Sequence, residues 1–209
     1  MENEKEIISV FLDKNSERDL YREPFKKGEW ICATCGPALI AIDKNRCEGT
    51  YKVLDTLDVK KYLLMETNRQ ETLLLPELEK MINTAERIKE TVTFGEDIKC
   101  TECHGSGEVE WDYKDFSGYF DCPVCKGSGY TSVSRKKKTG RIIPDPEFKI
   151  KLGNRLFRLA VLEKLVKTMQ LMHSDSCIYK YSEERKPETV LFQIDKDVTV
   201  VLVTTYPDY

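Results

Sequence analysis

"EFKIKLGNRLFRLAVLEKLVKTMQLMH", residues 147–173, sets the fold class. Its first six residues alternate apolar and charged side chains, the period of a strand with one face buried. Beyond them the period lengthens. Phe157, Val161, Leu165, Val166, Met169 and Met172 share one helical face, while Arg158, Lys164 and Lys167 fall elsewhere. Asn154 is the expected N-cap, since its side chain can accept from a first-turn amide. Three apolar runs follow: "SCIYKYS" (176–182), "TVLFQID" (189–195) and "VTVVLVTT" (198–205), the last two joined by a tight turn around Lys196. The expectation for residues 147–209 is a β-α-β-β-β unit. This is an α+β fold in which one amphipathic helix covers one face of an antiparallel sheet.

Upstream, residues 1–95 read as short alternating strands and helices. "EIISVFLD" (6–13) suits a strand or a helix start, and "KNSERDLYREPF" (14–25) a short helix or loop closed by Pro24. "GEWICATCGPALIAID" (28–43) is expected to be a hairpin turning at Cys35-Gly36-Pro37. "LPELEKMINTAERIKE" (75–90) carries Leu78, Met81, Ile82, Ala85 and Ile88 at helical spacing behind Pro76.

Residues 96–131 differ. They contain "CTECHGSG" (100–107) and "CPVCKGSG" (122–129), two Cys-x-x-Cys-x-Gly-x-Gly units separated by 14 residues. Each Cys-x-x-Cys can curl into a knuckle whose glycines take positive φ and bring backbone N–H groups toward the thiolates. Two knuckles present Cys100, Cys103, Cys122 and Cys125, which together fill a tetrahedral zinc site. The expected cofactor is one structural Zn²⁺ per chain. It would contribute folding free energy to a segment too poor in aliphatics for a core of its own. The 14-residue insert "EVEWDYKDFSGYFD" fits a hairpin turning around "DFSG". A redox dithiol normally starts a helix, whereas glycines follow both pairs here. His104 is not needed as a ligand, and four thiolates leave no open position for a catalytic water.

The repeats resemble those of the DnaJ-type cysteine-rich domain. That family has four repeats and two zinc sites; this chain has two repeats, enough for one site, and lacks the His-Pro-Asp signature of a J-domain. The resemblance covers about residues 98–131 and implies a zinc hairpin that touches other proteins. A second resemblance spans more of the chain. The 147–207 stretch is similar to the closing unit of a bacterial polymerase sliding-clamp domain, and "GEWICATCGPALIAI" to a clamp hairpin that usually reads Ala-Thr-Asp-Gly-His. Cys35-Gly36-Pro37 departs from that pattern. Together these resemblances imply a clamp-like pair of βαβββ-type units (1–95 and 147–209), an inserted zinc hairpin (96–131) and a basic linker (132–146). A clamp ring needs several such domains, so one domain per chain would require an oligomer.

Other features admit two readings each. Arg135, Lys136, Lys137, Lys138 and Arg141 are a candidate phosphate contact for DNA or a solvated linker. Trp111, Tyr113, Phe116 and Tyr119 could stack bases, grip a peptide or pack on their own domain. Cys32, Cys35 and Cys47 could nucleate a second metal site, but residues three apart on a strand face opposite ways, which favours buried small hydrophobes. Cys177 is expected on a strand, and His173 at a helix end.

Composition narrows the function classes. With 209 residues and a net charge of −3 there is no global pull toward nucleic acid or membrane. No run reaches the roughly 18 apolar residues of a membrane span. "MENEKEIISVFLDKN" lacks a signal-peptide apolar stretch, so a cytoplasmic chain is expected. No nucleophile elbow, P-loop, dinucleotide fingerprint or His-Glu-x-x-His motif is present. The expected role is a non-enzymatic zinc-binding module associated with DNA or a replication-type assembly. The alternative is a protein-binding or chaperone-like adaptor, with a thiol redox enzyme third.

Overall fold

The computed structural model describes residues 3–54, 57–64, 67–182 and 189–206, without the side chains of Tyr113 and Phe116. The chain divides into two compact units: residues 1–86 with 144–209, and residues 87–143.

The first segment of unit 1 holds α1 (Glu4–Ser9), α2 (Asp19–Arg22), β1 (Phe25–Lys27), β2 (Trp30–Thr34), β3 (Ala38–Asp43), β4 (Lys52–Val53), α3 (Lys60–Leu63), β5 (Arg69–Leu74) and α4 (Leu75–Ile82). Unit 2 holds β6 (Arg87–Lys99), β7 (Glu108–Tyr113), β8 (Phe116–Asp121) and β9, which runs to its edge (Tyr130–Pro144). The second segment of unit 1 adds β10 (Lys149–Leu152), β11 (Arg155–Arg158), α5 (Leu159–Leu171), β12 (Ser176–Tyr181), β13 (Thr189–Asp195) and β14 (Val198–Val203).

Unit 1 is an α+β fold with helices packed on a sheet whose strand order is β4-β1-β2-β3-β14-β13-β12-β5. Every neighbouring pair is antiparallel except β1 and β4. The two segments interleave. β14 pairs with β3, placing Val200 opposite Ile40, while β12 pairs with β5, placing Cys177 opposite Leu73. Neither segment completes the sheet alone.

The middle strands are covered on both faces. Ile40, Val200, Leu202 and Phe192 pack into one cluster with Ile7 and Phe11 around α1 and Leu162, Leu165 and Met169 of α5. Leu39, Ala41, Leu191 and Val201 point the other way, toward Leu20 of α2 and Val59, Tyr62 and Leu63 around α3. Double coverage accounts for the near-continuous apolar runs of β3 and β14.

Three expectations need correction. Asn154 does not cap α5: Gly153 (φ +58°) and Asn154 form a two-residue turn, Leu152 faces Arg155, and β11 intervenes before the helix. Gly at the first turn position with positive φ is what a tight hairpin demands. Phe157 therefore lies on a strand, edge-on to Phe192 at 5.9 Å. The helix expected over 75–90 ends at Ile82, where Thr84 Oγ1 donates to the Met81 carbonyl at 2.6 Å; Ile88 belongs to β6. Finally, residues 132–143 are not a linker. They belong to β9, which pairs with β6: Thr139 meets Glu90 and Arg135 meets Glu96, so the strands run antiparallel. Among the described residues no helix is long and apolar enough to cross a membrane.

Glu4 ties α1 to the loop before β4. Its carboxylate is buried and accepts from the amides of Glu48 (2.8 Å) and Gly49 (3.3 Å) and from the Tyr51 hydroxyl. Burial alone would raise its pKa, but these donors outweigh it and hold the carboxyl below its ordinary range. A lowered folded pKa contributes stability above the unfolded value and loses it as pH falls through the carboxylate range. Glu4→Gln is expected to destabilise unit 1 by about 1–3 kcal/mol at neutral pH, and by progressively less toward acid, in denaturant titrations at several pH values. Phe192→Ala, which empties the centre of the main cluster, should cost about 3–5 kcal/mol at any of them.

Candidate functional site

The two cysteine repeats form a pair of knuckles related by a 22-residue offset. Within each, the residue after the second cysteine is left-handed, His104 at φ 54° and Lys126 at φ 53°. Two positive-φ glycines follow, Gly105 and Gly107 in one, Gly127 and Gly129 in the other. The hydroxyl of Ser106 donates to the carbonyls of Cys103 and Glu108, and Ser128 repeats this with Cys125 and Tyr130. The knuckles interlock through backbone: Cys100 N donates to Gly129 O at 2.8 Å and Cys122 N to Gly107 O at 2.7 Å. A Cβ on Gly107 would stand 2.4 Å from the Gly127 carbonyl oxygen, and one on Gly129 would stand 2.6 Å from that of Gly105. Only glycine permits this approach.

The interlock gathers all four predicted ligands. Their sulfurs lie within 4.8 Å of one another and all four residues are buried. Cys100 and Cys122 are 3.8 Å apart, Cys103 and Cys125 3.7 Å, and all are free thiols. A tetrahedron with metal–sulfur bonds of about 2.3 Å has edges of about 3.8 Å, so these spacings fit one tetrahedral ion. The amides of Gly107 and Gly129 donate to the Cys103 and Cys125 sulfurs at 3.3 and 3.2 Å. Burial opposes charge on Cys103, but the Gly107 and Gly105 amides, with the neighbouring sulfurs, outweigh it and bring the thiol down to about 6. At Cys122 the Cys125 amide favours the thiolate, yet burial and the adjoining sulfurs push it up to about 11. Four such groups become thiolates together only with a cation among them. The set can therefore hold a metal ion; His104 is exposed and outside it.

The other candidates are dispersed. Cys32 packs in the cluster under α2 and α3, whereas Cys35 and Cys47 pack against the opposite cluster. Burial pushes Cys32 up to about 12 and Cys47 up to about 11, as expected of inert thiols. Cys177 is a buried β12 residue, likewise raised to about 12 by burial. His173 follows α5 at φ 51°, its N–H donating to the Gln170 carbonyl at 3.1 Å. Arg135, Lys136, Lys137, Lys138 and Arg141 are exposed on β9, where strand alternation sends neighbours to opposite faces; Arg135 pairs with Glu96 at 2.5 Å.

The insert between the repeats is a hairpin, but it turns two positions earlier than expected, at Lys114 and Asp115, with Tyr113 opposite Phe116. Its register separates the predicted aromatics: Trp111 lies opposite Gly118 on one face and Tyr119 opposite Glu110 on the other. The side chains of Tyr113 and Phe116 lie outside the described residues. Phe120 shares the Trp111 face and was missed; pairing 111 with 118 across a centred turn would have placed it there.

Unit 1 carries a second feature, absent from the sequence reading. A groove of about 260 Å³ opens between the sheet, α2 and α3, walled by Leu20, Tyr21, Leu39, Leu57, Tyr62 and Val201. Thr34 and Gly36 line one end, and their polar atoms are engaged: Thr34 Oγ1 donates to Ala38 O and accepts from Gly36 N.

No protein-family model matches the sequence, and no curated protein matches it. Solved structures do. The Helicobacter pylori beta clamp bound to a DNA ligase peptide is 9% identical, with a TM-score of 0.48, over 97% of this chain and 62% of that one. The DNA polymerase III beta subunit of Thermotoga maritima is 12% identical at a TM-score of 0.46, over 97% and 62%. The Caulobacter crescentus beta sliding clamp is 10% identical at 0.47, over 99% and 65%. The chain spans less than two thirds of the length of each.

The knuckle geometry makes a sharp demand on residue 107. Gly107→Ala should lose its metal on dialysis, because the added carbon collides with backbone. Cys103→Ser should lose it as well, by removing a ligand, while Ser106→Ala should retain it. Elemental analysis of the dialysed proteins, alongside wild type, checks all three.

Proposed function

We propose that the protein is a non-enzymatic binding module. One structural Zn²⁺ at Cys100, Cys103, Cys122 and Cys125 orders unit 2, and unit 1 takes a short polypeptide segment in its groove. The observation that carries this reading is the groove. Its walls carry Leu20, Leu39, Leu57, Val201 and Val203, and the hydroxyls of Thr34 and Tyr21 are already hydrogen-bonded. Its volume of about 260 Å³ has room for one or two apolar anchor side chains. The metal supports the same reading, since a four-sulfur shell leaves no position for a substrate or an activated water. The motif chemistry favours zinc, and the DnaJ-type resemblance of the repeats agrees with a site that orders backbone.

Association with DNA or a replication-type assembly is the second reading, favoured by the exposed cations of β9. Attraction of that kind releases counterions and falls steeply with salt.

Random peptides displayed on phage and selected on the full-length protein test the first reading. Enriched sequences should carry apolar anchors and lose binding to Leu57→Arg, which fills the groove; melting curves verify that the variant is folded. Absence of enrichment, or enrichment indifferent to Leu57, would sink it. Duplex DNA retained at low salt, released at high salt and lost on reversing Lys136, Lys137 and Lys138 to Glu would move the assignment to DNA.

A further inference from the structure

Unit 2 carries a binding surface that the groove of unit 1 does not use. The hairpin of β7 and β8 has two unlike faces. Its register puts Val109, Trp111, Gly118 and Phe120 on one side and Glu108, Glu110, Asp112 and Asp121 on the other. The apolar side is open: Trp111 is 63% exposed and Phe120 60%. Gly118 makes room there, since a Cβ at that position would stand 3.2 Å from the Phe120 ring. An open hollow of about 270 Å³ is lined by Trp111, Phe120, Asp121 and Pro123. It therefore offers an indole face and a second ring.

Charge selects the occupant. Residues 100–129 hold six carboxylates and two lysines. Four thiolates around a divalent ion add further net negative charge. Nucleic acid and anionic lipid are repelled by such a field, whereas a cationic side chain gains from it. A guanidinium or ammonium over an indole is attracted by the ring quadrupole. We infer that the Trp111–Phe120 hollow binds an arginine or lysine side chain of a basic polypeptide segment of a partner protein. The hairpin's carboxylates draw that segment in, and Phe120 and Pro123 pack against its aliphatic stem.

The test uses the full-length metal-bound protein in a Trp30→Phe background, which leaves Trp111 as the sole tryptophan. The probes are a short labelled peptide alternating arginine and leucine, its glutamate-for-arginine counterpart, and single-stranded DNA. The arginine peptide should blue-shift Trp111 emission and raise label anisotropy, with affinity falling as salt rises. Trp111→Ala should weaken anisotropy binding about tenfold while metal content stays at the wild-type level. Trp111→Phe should weaken it less. Leu57→Arg should leave it unchanged, which separates this surface from the unit 1 groove. The inference is overturned if the glutamate peptide binds equally well, or if DNA produces the shift. It is also overturned if the emission shift follows protein concentration alone, which would make a second copy of the chain the occupant.

Discussion

Four thiolate sulfurs within 4.8 Å of one another repel strongly until a cation stands between them. Most of unit 2 follows from that constraint. Its buried cluster consists of the four cysteines with Val109 packed alongside. The β6 and β9 ladder is exposed along nearly its whole length. Little apolar burial is available to offset the conformational entropy of these residues. The amide-to-sulfur and interlocking backbone hydrogen bonds order the knuckles, and the proposed ligation of a metal by the four sulfurs would add to them. The glycines at 107 and 129 are what let the two knuckles approach closely enough for that to happen.

Unit 1 is held by a different term. Its stability rests on a sheet covered on both faces, and the chain reaches that arrangement by interleaving its two segments. β14 is buried between β13 and β3, and β5 closes the far edge beside β12. A consequence is that residues 1–86 and 144–206 stand or fall together. The groove under Tyr21 and Tyr62 exists because α2 and α3 are each only four residues long and cover their face of the sheet incompletely.

Much of this was legible in the sequence, for identifiable reasons. Cys-x-x-Cys-x-Gly-x-Gly constrains both the ligand set and the backbone, so the four-cysteine cluster could be read from spacing alone. The apolar runs of β2, β3, β13 and β14 and the stripe of α5 are strong periodic signals, and the α+β class followed from them. What failed was local. Gly153-Asn154 offers both a cap and a turn, and strand pairing decided for the turn. Thr84 and Ala85 continue a helical pattern that the β-branched residues of β6 end. Charge density made residues 135–141 read as a linker, although a strand of exposed residues needs no apolar alternation. The groove of unit 1 was not legible because its walls come from α2, α3 and four strands distant in sequence.

X-ray absorption at the zinc edge on the purified protein tests whether Cys100, Cys103, Cys122 and Cys125 together hold one zinc ion, as proposed. Stoichiometric zinc coordinated by four sulfurs at about 2.3 Å is expected. A shell containing nitrogen or oxygen, or sulfurs joined in pairs without metal, would contradict it.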